Sequence, residues 1–347
     1  MVRIKDIADQ LGVSATTVSN VIHGRTNRVS KETIKKVNEA LSKGDYVPNM
    51  GGVLLSQNNS KIIGVVLNND MRYENKILQN PFVVEIISAL EENIRNAGYF
   101  TMLYNANSIV DVAKIATMWN VSGLIVFGFM EDDYTSLRGM IDTPFVTIDG
   151  TYTKEVNGII NVGIDDYTGA YNMGKYLISK GHKDILFLSD NDDGCDNKRK
   201  RGLKKAMKEA GLKFNDHNHR LIPAMEISRK DYYPELLREL KKNKKYTALF
   251  FASDLYAIEA MNFFIDNGLK IPEDLSIVGF DDIKHATIVR PCLTTVRQNM
   301  PLKAAMAVNA LLNIIHKYKI STRNVVLPVE LVERDSVASL TTESWNN

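Results

Sequence analysis

Acidic residues stand directly after several short apolar runs of this sequence. They are Asp149 in VTIDG, Asp190 in LFLSD, Asp254 in FFASD, and Asp281 with Asp282 in GFDD. A single Asp in such a place is typically the N-cap of the next helix. If the runs are parallel strands, however, their carboxyl ends meet at one edge and the carboxylates line a common cleft. Carboxylates accept hydrogen bonds from hydroxyl and amine groups, so the set indicates a cleft for a polyol or an amine-bearing ligand.

A second set of polar residues lies near the start of the chain, in the stretch SATTVSNVIH. Its members share one face of a helix, opposite Val18 and Val21; they are Thr16, Ser19, Asn20 and His23. Side chains this small let a helix lie deep in a DNA major groove, where Asn addresses an adenine edge and the methyl groups of Thr16 or Ala15 touch a thymine methyl. The hydroxyls of Ser14, Thr17 and Ser19, together with the helix N-terminus, suit phosphate groups.

The elements that would position this polar face are three short helices. Apolar residues at helical spacing define the first helix, and they are Ile4, Ile7, Ala8 and Leu11. Gly12 then ends that helix, Ser14 caps the second and Ser30 caps the third. Two helices around a tight glycine turn predict a helix-turn-helix, although a plain three-helix packing unit has the same periodicity.

Charge is distributed unevenly along the chain. The first fifty residues hold eight Lys and Arg against five Asp and Glu, whereas the remainder holds 35 against 36. A basic head on a nearly neutral body is typical of a nucleic-acid contact, although a solvated basic surface would give the same small excess.

After the head, short apolar runs alternate with longer helical patterns. The strand-like runs are KIIGVVL, FTMLYNA, GLIVFGF, FVTIDG, DILFLSD, TALFFASD and SIVGFDD. Alternation of strands and helices predicts parallel sheets covered by helices on both faces. The number of units exceeds what a sheet of usual size holds, so we expect two α/β lobes.

Several classes of function lack their sequence signals. The chain contains no GxGxxG and no GxxxxGK[ST], so we expect no nucleotide cofactor, and we predict no catalytic residues and no metal site. No apolar run approaches the roughly 20 residues that span a bilayer. The two cysteines, Cys195 and Cys292, are far apart, and with no secretion signal at the N-terminus they favour a cytoplasmic protein.

The chain resembles the lactose-repressor (LacI/GalR) family of bacterial transcription regulators. The resemblance rests on IKDIADQLGVSATTVSNVIHG, VSKETIKKVNEAL and YVPN in the head, and it continues through SKIIGVV, NPF, GHKDILFL, IPEDLSIVGFDDI, LTTVRQ and VVLPVELVERDS. It therefore covers nearly the whole chain.

The resemblance implies an all-α helix-turn-helix headpiece followed by a two-lobed α/β domain like the periplasmic binding proteins, with two parallel sheets and three crossovers. We expect the headpiece at 1–49, a hinge at 50–59, and an effector-binding and dimerisation domain at 60–340. The N-subdomain would comprise about 60–159 and 291–322, and the C-subdomain about 160–290 and 323–340. The crossings between the lobes would lie near residues 160, 290 and 323.

The resemblance also implies which residues meet an effector or order its cleft. They are Asn80, Phe82, Asp149, Arg199, Ser253, Asp254 and Asp281. Arg199 stands three residues before Gly202, which matches an Arg-x-x-Gly pattern of the family, and would offer a forked donor to ligand oxygens. Phe82 would stack on a ring, although an aromatic residue at a helix start is about as often part of the core.

Three departures from the family pattern lie in the head and the hinge. In the family the hinge becomes helical on operator DNA and its leucine, Leu55 here, wedges into the minor groove. Gly51 and Gly52 replace better helix formers at about 1 kcal/mol each, so we expect a hinge that is harder to fold. Gly44 also replaces a usual leucine. Asn20 occupies a position often held by Arg, so the operator should differ there, because Asn prefers adenine and Arg prefers guanine.

The sequence as a whole predicts a homodimeric transcription regulator, a repressor that reads a pseudo-palindromic operator. A small molecule between the lobes, with a sugar favoured, would set its affinity for DNA. The alternative is a solute-binding protein or an enzyme on the same two-lobed scaffold, with the head as a protein-docking module. Deletion of residues 1–58 would separate the two hypotheses.

Overall fold

The computed structural model of the chain describes residues 3–22, 25–43, 60–69, 77–150, 152, 159–243, 245–318 and 322–340. The order of its elements follows the prediction of a helical head and an α/β body. In the described residues, no helix is long and apolar enough to cross a membrane.

Three helices form the head: α1 (Ile4–Leu11), α2 (Ala15–Ile22) and α3 (Lys31–Lys43). Gly12 closes α1 with a left-handed φ of 63°, a conformation that glycine adopts without strain. Ser14 caps α2, because its Oγ accepts a hydrogen bond from the N–H of Thr17 at 3.0 Å. The apolar faces of the three helices meet in one small core, which contains Ile7, Ala8, Val18, Val21 and Val37.

The first lobe is built on six parallel strands. They are β1 (Ile62–Asn68), β2 (Phe100–Ala106), β3 (Gly123–Phe127), β4 (Phe145–Ile148), β5 (Ile160–Ile164) and β11 (Asn324–Leu327), in the order β11-β5-β4-β3-β1-β2. The helices of this lobe are α4 (Pro81–Asn96), α5 (Ile109–Met118), α6 (Glu131–Met140) and α11 (Met300–Ile315).

Alternate side chains of the central strands face opposite layers of the first lobe. Val65 packs in the core that holds Ile86 of α4 and Ala307 of α11, whereas Val66 packs in the core that holds Val112 of α5. A strand buried on both faces needs an unbroken apolar run, and this explains why IIGVVL and GLIVF show no polar alternation.

The second lobe is built on four parallel strands. They are β6 (Ile185–Ser189), β7 (His219–Leu221), β8 (Ala248–Phe251) and β9 (Ser276–Val278), in the order β7-β6-β8-β9. Its helices are α7 (Asp166–Ser179), α8 (Gly194–Glu209), α9 (Glu226–Asn243) and α10 (Asp254–Asp266). Two short strands, β10 (Thr295–Arg297) and β12 (Glu330–Val332), pair antiparallel beside this sheet. The prediction of two parallel sheets is confirmed.

The crossovers between the lobes lie further along the chain than the sequence predicted. The first follows β5 at Ile164 and the third follows β11 at Leu327, because both strands pair in the first sheet. Asn161 and Asn324 are register partners there, and their side chains share a hydrogen bond of 3.0 Å. The second crossover follows β10, and Thr294, directly before this strand, forms a parallel bridge with Val278 of β9. Strands β5 and β11 thus lie in the first sheet, whereas the expected C-subdomain began at about 160 and 323.

Helices α7 and α8 approach closely because Gly202 has no side chain. A Cβ added there would collide with the carbonyl oxygen of Tyr167 and would lie 2.8 Å from the backbone nitrogen of Tyr171. Backbone atoms cannot relieve such a collision by a change of rotamer, as a side chain can. We therefore expect Gly202→Ala to lower the free energy of unfolding by about 1 to 3 kcal/mol, as measured by urea denaturation.

Gly139 of α6 provides the matched control for this substitution. A Cβ there meets nothing within 4 Å, so Gly139→Ala should be neutral or stabilise the protein by up to about 1 kcal/mol through helix propensity. Equal effects of the two substitutions would contradict the close helix packing.

His182 is fully buried in the second lobe and stays neutral. One ring nitrogen lies 2.9 Å from Oγ1 of Thr247 and the other lies 3.1 Å from the carbonyl oxygen of Ala338. A carbonyl oxygen only accepts, so Nε2 carries the proton and the neutral ring is satisfied. Burial lowers the pKa of His182 to about 4.

This buried histidine makes stability depend on pH. The unfolded chain protonates the ring near pH 6.5, so between about pH 6.5 and 4 the unfolded state binds more protons than the folded state. We expect His182 to remove about 2 to 3 kcal/mol of stability as the pH falls through this window. The measurement compares urea unfolding of wild type and His182→Gln at several pH values, where other titrating groups cancel in the difference. Identical pH slopes would contradict the prediction.

Candidate functional site

The two lobes face each other across a cleft lined by the carboxyl ends of their strands. Asp149 follows β4, Ser253 caps α10 after β8, and Asp281 follows β9. Arg199 lies in the second turn of α8, and Lys303 lies in the first turn of α11. The strand ends thus bring together residues that are up to 154 positions apart in the sequence, as for Asp149 and Lys303.

Arg199 is buried, and its N–H groups donate hydrogen bonds to other groups of the protein. Its Nε and Nη2 lie 2.9 and 2.8 Å from Oδ1 of Asp166, and its Nη1 donates to the carbonyl oxygen of Ala252 at 2.6 Å. The guanidinium plane stacks 3.8 Å from the centre of the Phe280 ring. The structure therefore makes Arg199 the charge partner of Asp166, where the sequence predicted a fork open to ligand oxygens.

Asp281 joins the second lobe to the second crossover. Its Oδ1 accepts a hydrogen bond from Nε2 of Gln298 at 2.6 Å, and its Oδ2 accepts from Oγ of Ser253 at 3.3 Å. Nη1 of Arg199 lies 3.8 Å from Oδ1. Burial raises the pKa of Asp281 to about 6, while Arg199 and Gln298 act in the opposite direction. The carboxylate is thus held by three side chains, two of which were predicted from the sequence.

Lys303 carries this network into the first lobe. Its side chain is fully buried, and its Nζ donates to both carboxylate oxygens of Asp149, at 2.9 and 2.7 Å. The same Nζ donates to Oε1 of Gln298 at 2.6 Å and lies 5.6 Å from the centre of the Phe82 ring. A continuous chain of polar contacts therefore runs from Asp149 through Lys303 and Gln298 to Asp281.

Asp254 does not line the cavity, and its contacts fit the cleft-ordering role that was one of the two roles predicted for this set of residues. It is fully buried, its Oδ1 accepts from Oγ1 of Thr295 at 2.5 Å, and its Oδ2 accepts from the N–H of Ile283 at 3.1 Å. Burial and the nearby Asp281 raise the pKa of Asp254 well above its usual range. Asp254 fastens β10 and the loop after β9 to α10, so its role is to order the cleft walls.

The other strand-end acids are also structural. Asp190 accepts a hydrogen bond from the hydroxyl of Tyr256 at 3.0 Å. Asp282 pairs with Arg297 at 2.7 Å and with Arg334 at 2.5 Å. Asp149 and Asp281 thus remain as the strand-end acids that the structure gives to the cleft network.

At the start of α4, Asn80 caps the helix and Phe82 packs against the core. Oδ1 of Asn80 accepts a hydrogen bond from the N–H of Phe82 at 3.0 Å, so Asn80 is the N-cap of the helix. The half-buried ring of Phe82 packs against the main core and faces Lys303. A stacking role of Phe82 toward a ligand stays a prediction.

A cavity of about 220 Å³ opens beside the charge pairs, between the first sheet and α8. Its lining residues are Asp149, Gly150, Tyr152, Ile159, Asn161, Gly163, Ile164, Asp166, Cys195, Lys198, Arg323, Asn324 and Val326. Asp149 is the one member of the predicted set on this lining, while Arg199, Ser253 and Asp281 stand behind it in the polar network. Burial raises the pKa of the Cys195 thiol well above its usual range, so the thiol stays protonated.

The second candidate surface is the polar face of α2. Ser14, Ala15 and Thr16 are exposed, whereas Thr17, Ser19 and Asn20 are half-buried. Oγ of Ser14 also lies 2.8 Å from Oγ1 of Thr17, so the start of the helix presents two hydroxyls together. The predicted readers His23 and Leu55 lie outside the described residues, as do the departures Gly44, Gly51 and Gly52.

Sequence reasoning missed Lys303, Gln298 and Asp166. Lys303 had a detectable signal: it falls on the inward stripe of α11, in phase with Met300, Ala304 and Ala307. A single cation on an otherwise apolar face needs a buried partner, because an unpaired charge there is costly. The pairing of Lys303 with Asp149 could not be predicted from local pattern, since Asp149 follows β4 and is 154 positions away.

Two family models match the chain. The model of bacterial regulatory proteins of the lacI family matches residues 3–49, and the model of the periplasmic binding protein-like domain matches residues 175–337.

Curated proteins match the chain over almost its full length. The HTH-type transcriptional regulator MalR of Clostridium butyricum is 33% identical over 345 residues, which cover 96% of this chain and 98% of that protein. The HTH-type transcriptional repressor PurR of Pasteurella multocida (strain Pm70) is 32% identical over 346 residues, covering 98% and 99%.

Solved structures share the fold. A lac repressor dimer bound to operator and the anti-inducer ONPF superposes with a TM-score of 0.80 at 23% identity, over 97% of this chain and 99% of that one. A complex of the transcriptional regulator CelR with cellobiose superposes with a TM-score of 0.69 at 24% identity, over 97% and 100%.

Proposed function

Since this chain belongs to the lacI family of bacterial regulatory proteins and is a DNA-binding transcription regulator rather than an enzyme, we propose that it is a repressor controlled by a neutral sugar or sugar derivative bound between its lobes. The observation that carries the proposal is the polar chain Asp149–Lys303–Gln298–Asp281, which crosses from one lobe to the other beside the cavity. A solute bound there would act on both lobes at once.

The lining of the cavity supports a polyhydroxylated solute. The partly exposed carboxylate of Asp149 and the exposed amide side chain of Asn324 line the cavity and offer it acceptors and donors. Such a set matches hydroxyl groups, which both donate and accept. Among proteins of the same fold, CelR was solved with cellobiose, and a regulator from Enterococcus faecium was solved with ribose. For this chain the proposed effector-contacting or cleft-ordering residues remain Asn80, Phe82, Asp149, Arg199, Ser253, Asp254 and Asp281, and the buried Arg199 and Asp254 would order the cleft walls.

On the DNA side, we propose that α2 enters the major groove. The exposed Ser14, Ala15 and Thr16 lie at its N-terminal end, where a recognition helix meets base edges and phosphates. Thr17, Ser19 and Asn20 follow on the same helix, and His23 and Leu55 complete the proposed contacts.

Control of DNA binding follows from thermodynamic linkage. If the operator and the solute favour different arrangements of the lobes, each weakens the other by the same factor. The three crossovers after β5, β10 and β11 are the segments that would change when the lobes move. Whether the solute releases the operator or promotes binding is decided by which arrangement it favours.

A pseudo-palindromic operator requires two heads, and we propose a homodimer formed through the first lobe. Exposed apolar side chains gather on its edge strand β2 and on α5, and they are Phe100, Leu103, Val110, Met118 and Trp119. An apolar edge of this kind is a site of association in a protein that functions as a dimer. The chain would act in the cytoplasm, where its DNA is.

The test uses the full chain. A thermal-shift screen against neutral sugars and nucleosides identifies the solute, because a ligand that binds the folded state raises the melting temperature. Fluorescence anisotropy with the operator, selected from random duplexes, then measures how that solute changes DNA affinity. Deletion of residues 1–58 should abolish DNA binding and keep solute binding. A truncated protein that retains the whole function would support the protein-docking alternative for the head.

A further inference from the structure

Each of the two carboxylates on the cavity lining has its own buried cation. Asp149 is paired with Lys303, whose side chain is 0% exposed, and Asp166 is paired with Arg199, whose side chain is 8% exposed. The negative charge of both carboxylates that line the cavity is therefore already compensated by a cation buried in the protein. This arrangement bears on whether a polyol or an amine is accepted, which the residue types alone left open.

The ammonium group of Lys303 has no donor left for a ligand while this pairing lasts. Its three N–H groups match three acceptors: both oxygens of Asp149 at 2.9 and 2.7 Å, and Oε1 of Gln298 at 2.6 Å. The ring of Phe82 lies 5.6 Å from Nζ on a further side. Lys303 is thus fixed as a counter-charge and is not a ligand contact.

Asp149 keeps acceptor capacity toward the cavity. A carboxylate has about four lone-pair sites, and Lys303 uses two of them. Its side chain is 22% exposed, so the remaining sites can accept hydroxyl donors. A protonated amine at the same place would meet the ammonium of Lys303 across a single carboxylate, and like charges at such short range repel strongly in a partly desolvated site.

We propose that Lys303 is a specificity-determining residue of the cleft, which compensates Asp149 so that the cleft takes neutral polyhydroxylated solutes and rejects their protonated amine analogues. The inference rests on the proposed function, since it concerns the same cleft. The proposal predicts that removal of the Lys303 cation shifts the preference of the cleft from neutral solutes to their protonated amine analogues, because Asp149 then needs a positive charge from the ligand.

The first test needs no knowledge of the effector. Lys303→Ala in the full chain leaves a cavity of the shape of n-propylammonium next to Asp149. Millimolar n-propylammonium should raise the melting temperature of this variant, whereas n-propanol at equal concentration should not. Wild type and Lys204→Ala, which changes an exposed lysine on α8, should respond to neither. Equal responses of Lys303→Ala to the amine and the alcohol would overturn the proposal.

The second test uses matched sugars and a variant, Lys303→Met, whose side chain fills the volume of the aliphatic part of lysine. This test can therefore be carried out even if Lys303→Ala does not fold. Titration calorimetry compares D-glucose, D-galactose and D-mannose with their 2-amino analogues. In Lys303→Met, the affinity ratio should move toward the amino sugars by about tenfold or more, as expected for a hydrogen bond to a charged group. Lys303→Arg, which keeps the charge, should retain the wild-type ratio. An unchanged ratio in Lys303→Met would refute the inference.

Failure of the proposed function has a different signature. If no sugar or nucleoside binds the wild type while n-propylammonium still rescues Lys303→Ala, the sugar effector is contradicted and the charge-compensating role of Lys303 is supported.

Discussion

Replacement of Arg199 by methionine is expected to lower the free energy of unfolding by about 3 to 5 kcal/mol, the loss typical when one partner of a buried ion pair is removed. The substitution leaves Asp166, with 2% of its side chain exposed, without its cation and leaves Asp281 with one partner fewer. Methionine fills a similar volume and can still contact Phe280, so the loss reports charge and not packing. Urea denaturation at pH 7 measures it.

The neighbouring position supplies the control for this prediction. Arg201 lies on the same helix and is exposed, so Arg201→Met should change stability by no more than about 0.5 kcal/mol. Because the uncompensated Asp166 becomes easier to protonate, the deficit of Arg199→Met should shrink as the pH is lowered toward 5. A loss below 1 kcal/mol, or one that is independent of pH, would show that Arg199 is not the charge partner of these carboxylates.

Replacement of Asn20 by arginine is expected to change which operator the protein prefers. Asn20 stands on α2 beside the exposed Thr16, and Asn pairs with adenine where Arg pairs with guanine. The affinity for an operator with guanine at the contacted position should rise relative to adenine by about 1 to 3 kcal/mol, or roughly five- to 150-fold. Anisotropy titrations against single-base variants of the selected operator measure this ratio.

Asn38→Arg is the control, because it adds the same charge to an exposed site on α3 of the same head. It should raise the affinity for all duplexes alike and leave the ratio between bases unchanged, as expected of a phosphate or long-range charge effect. If Asn20→Arg behaves in the same uniform way, Asn20 does not read a base.

Local pattern was sufficient for the elements that are long or strongly periodic. The helices of the head and the buried strands such as β3 and β8 follow directly from apolar spacing. The short strands β5 and β11 were not among the runs predicted from the sequence, and β11 reaches its place by pairing with β5, where the partners Asn161 and Asn324 are 163 positions apart. Strand pairing at that separation leaves no mark in a local window of sequence.

The candidate site shows the same division between local and distant information. The resemblance to the lactose-repressor family assigned Arg199, Ser253 and Asp281 to the cleft, and in the structure these three side chains contact one another in one polar network. The charge partners Asp166 and Lys303 depend on how helices pack within each lobe: Asp166 on α7 meets Arg199 on α8, and Lys303 on α11 meets Asp149 after β4. Asp254 has the residue type of a ligand contact, but its burial shows that it is fastened to Thr295 and the backbone of Ile283.

The most direct test of the account is DNA binding by the intact chain, measured by anisotropy at several salt concentrations with and without the solute found in the thermal-shift screen. A duplex selected from a random pool should bind at least about a thousandfold more tightly than unrelated duplexes at physiological salt, and the solute should change that ratio. The account is contradicted if every duplex binds equally weakly, loses binding equally as salt rises and shows no response to the solute. The head would then not bind DNA sequence-specifically under the control of a ligand in the two-lobed domain.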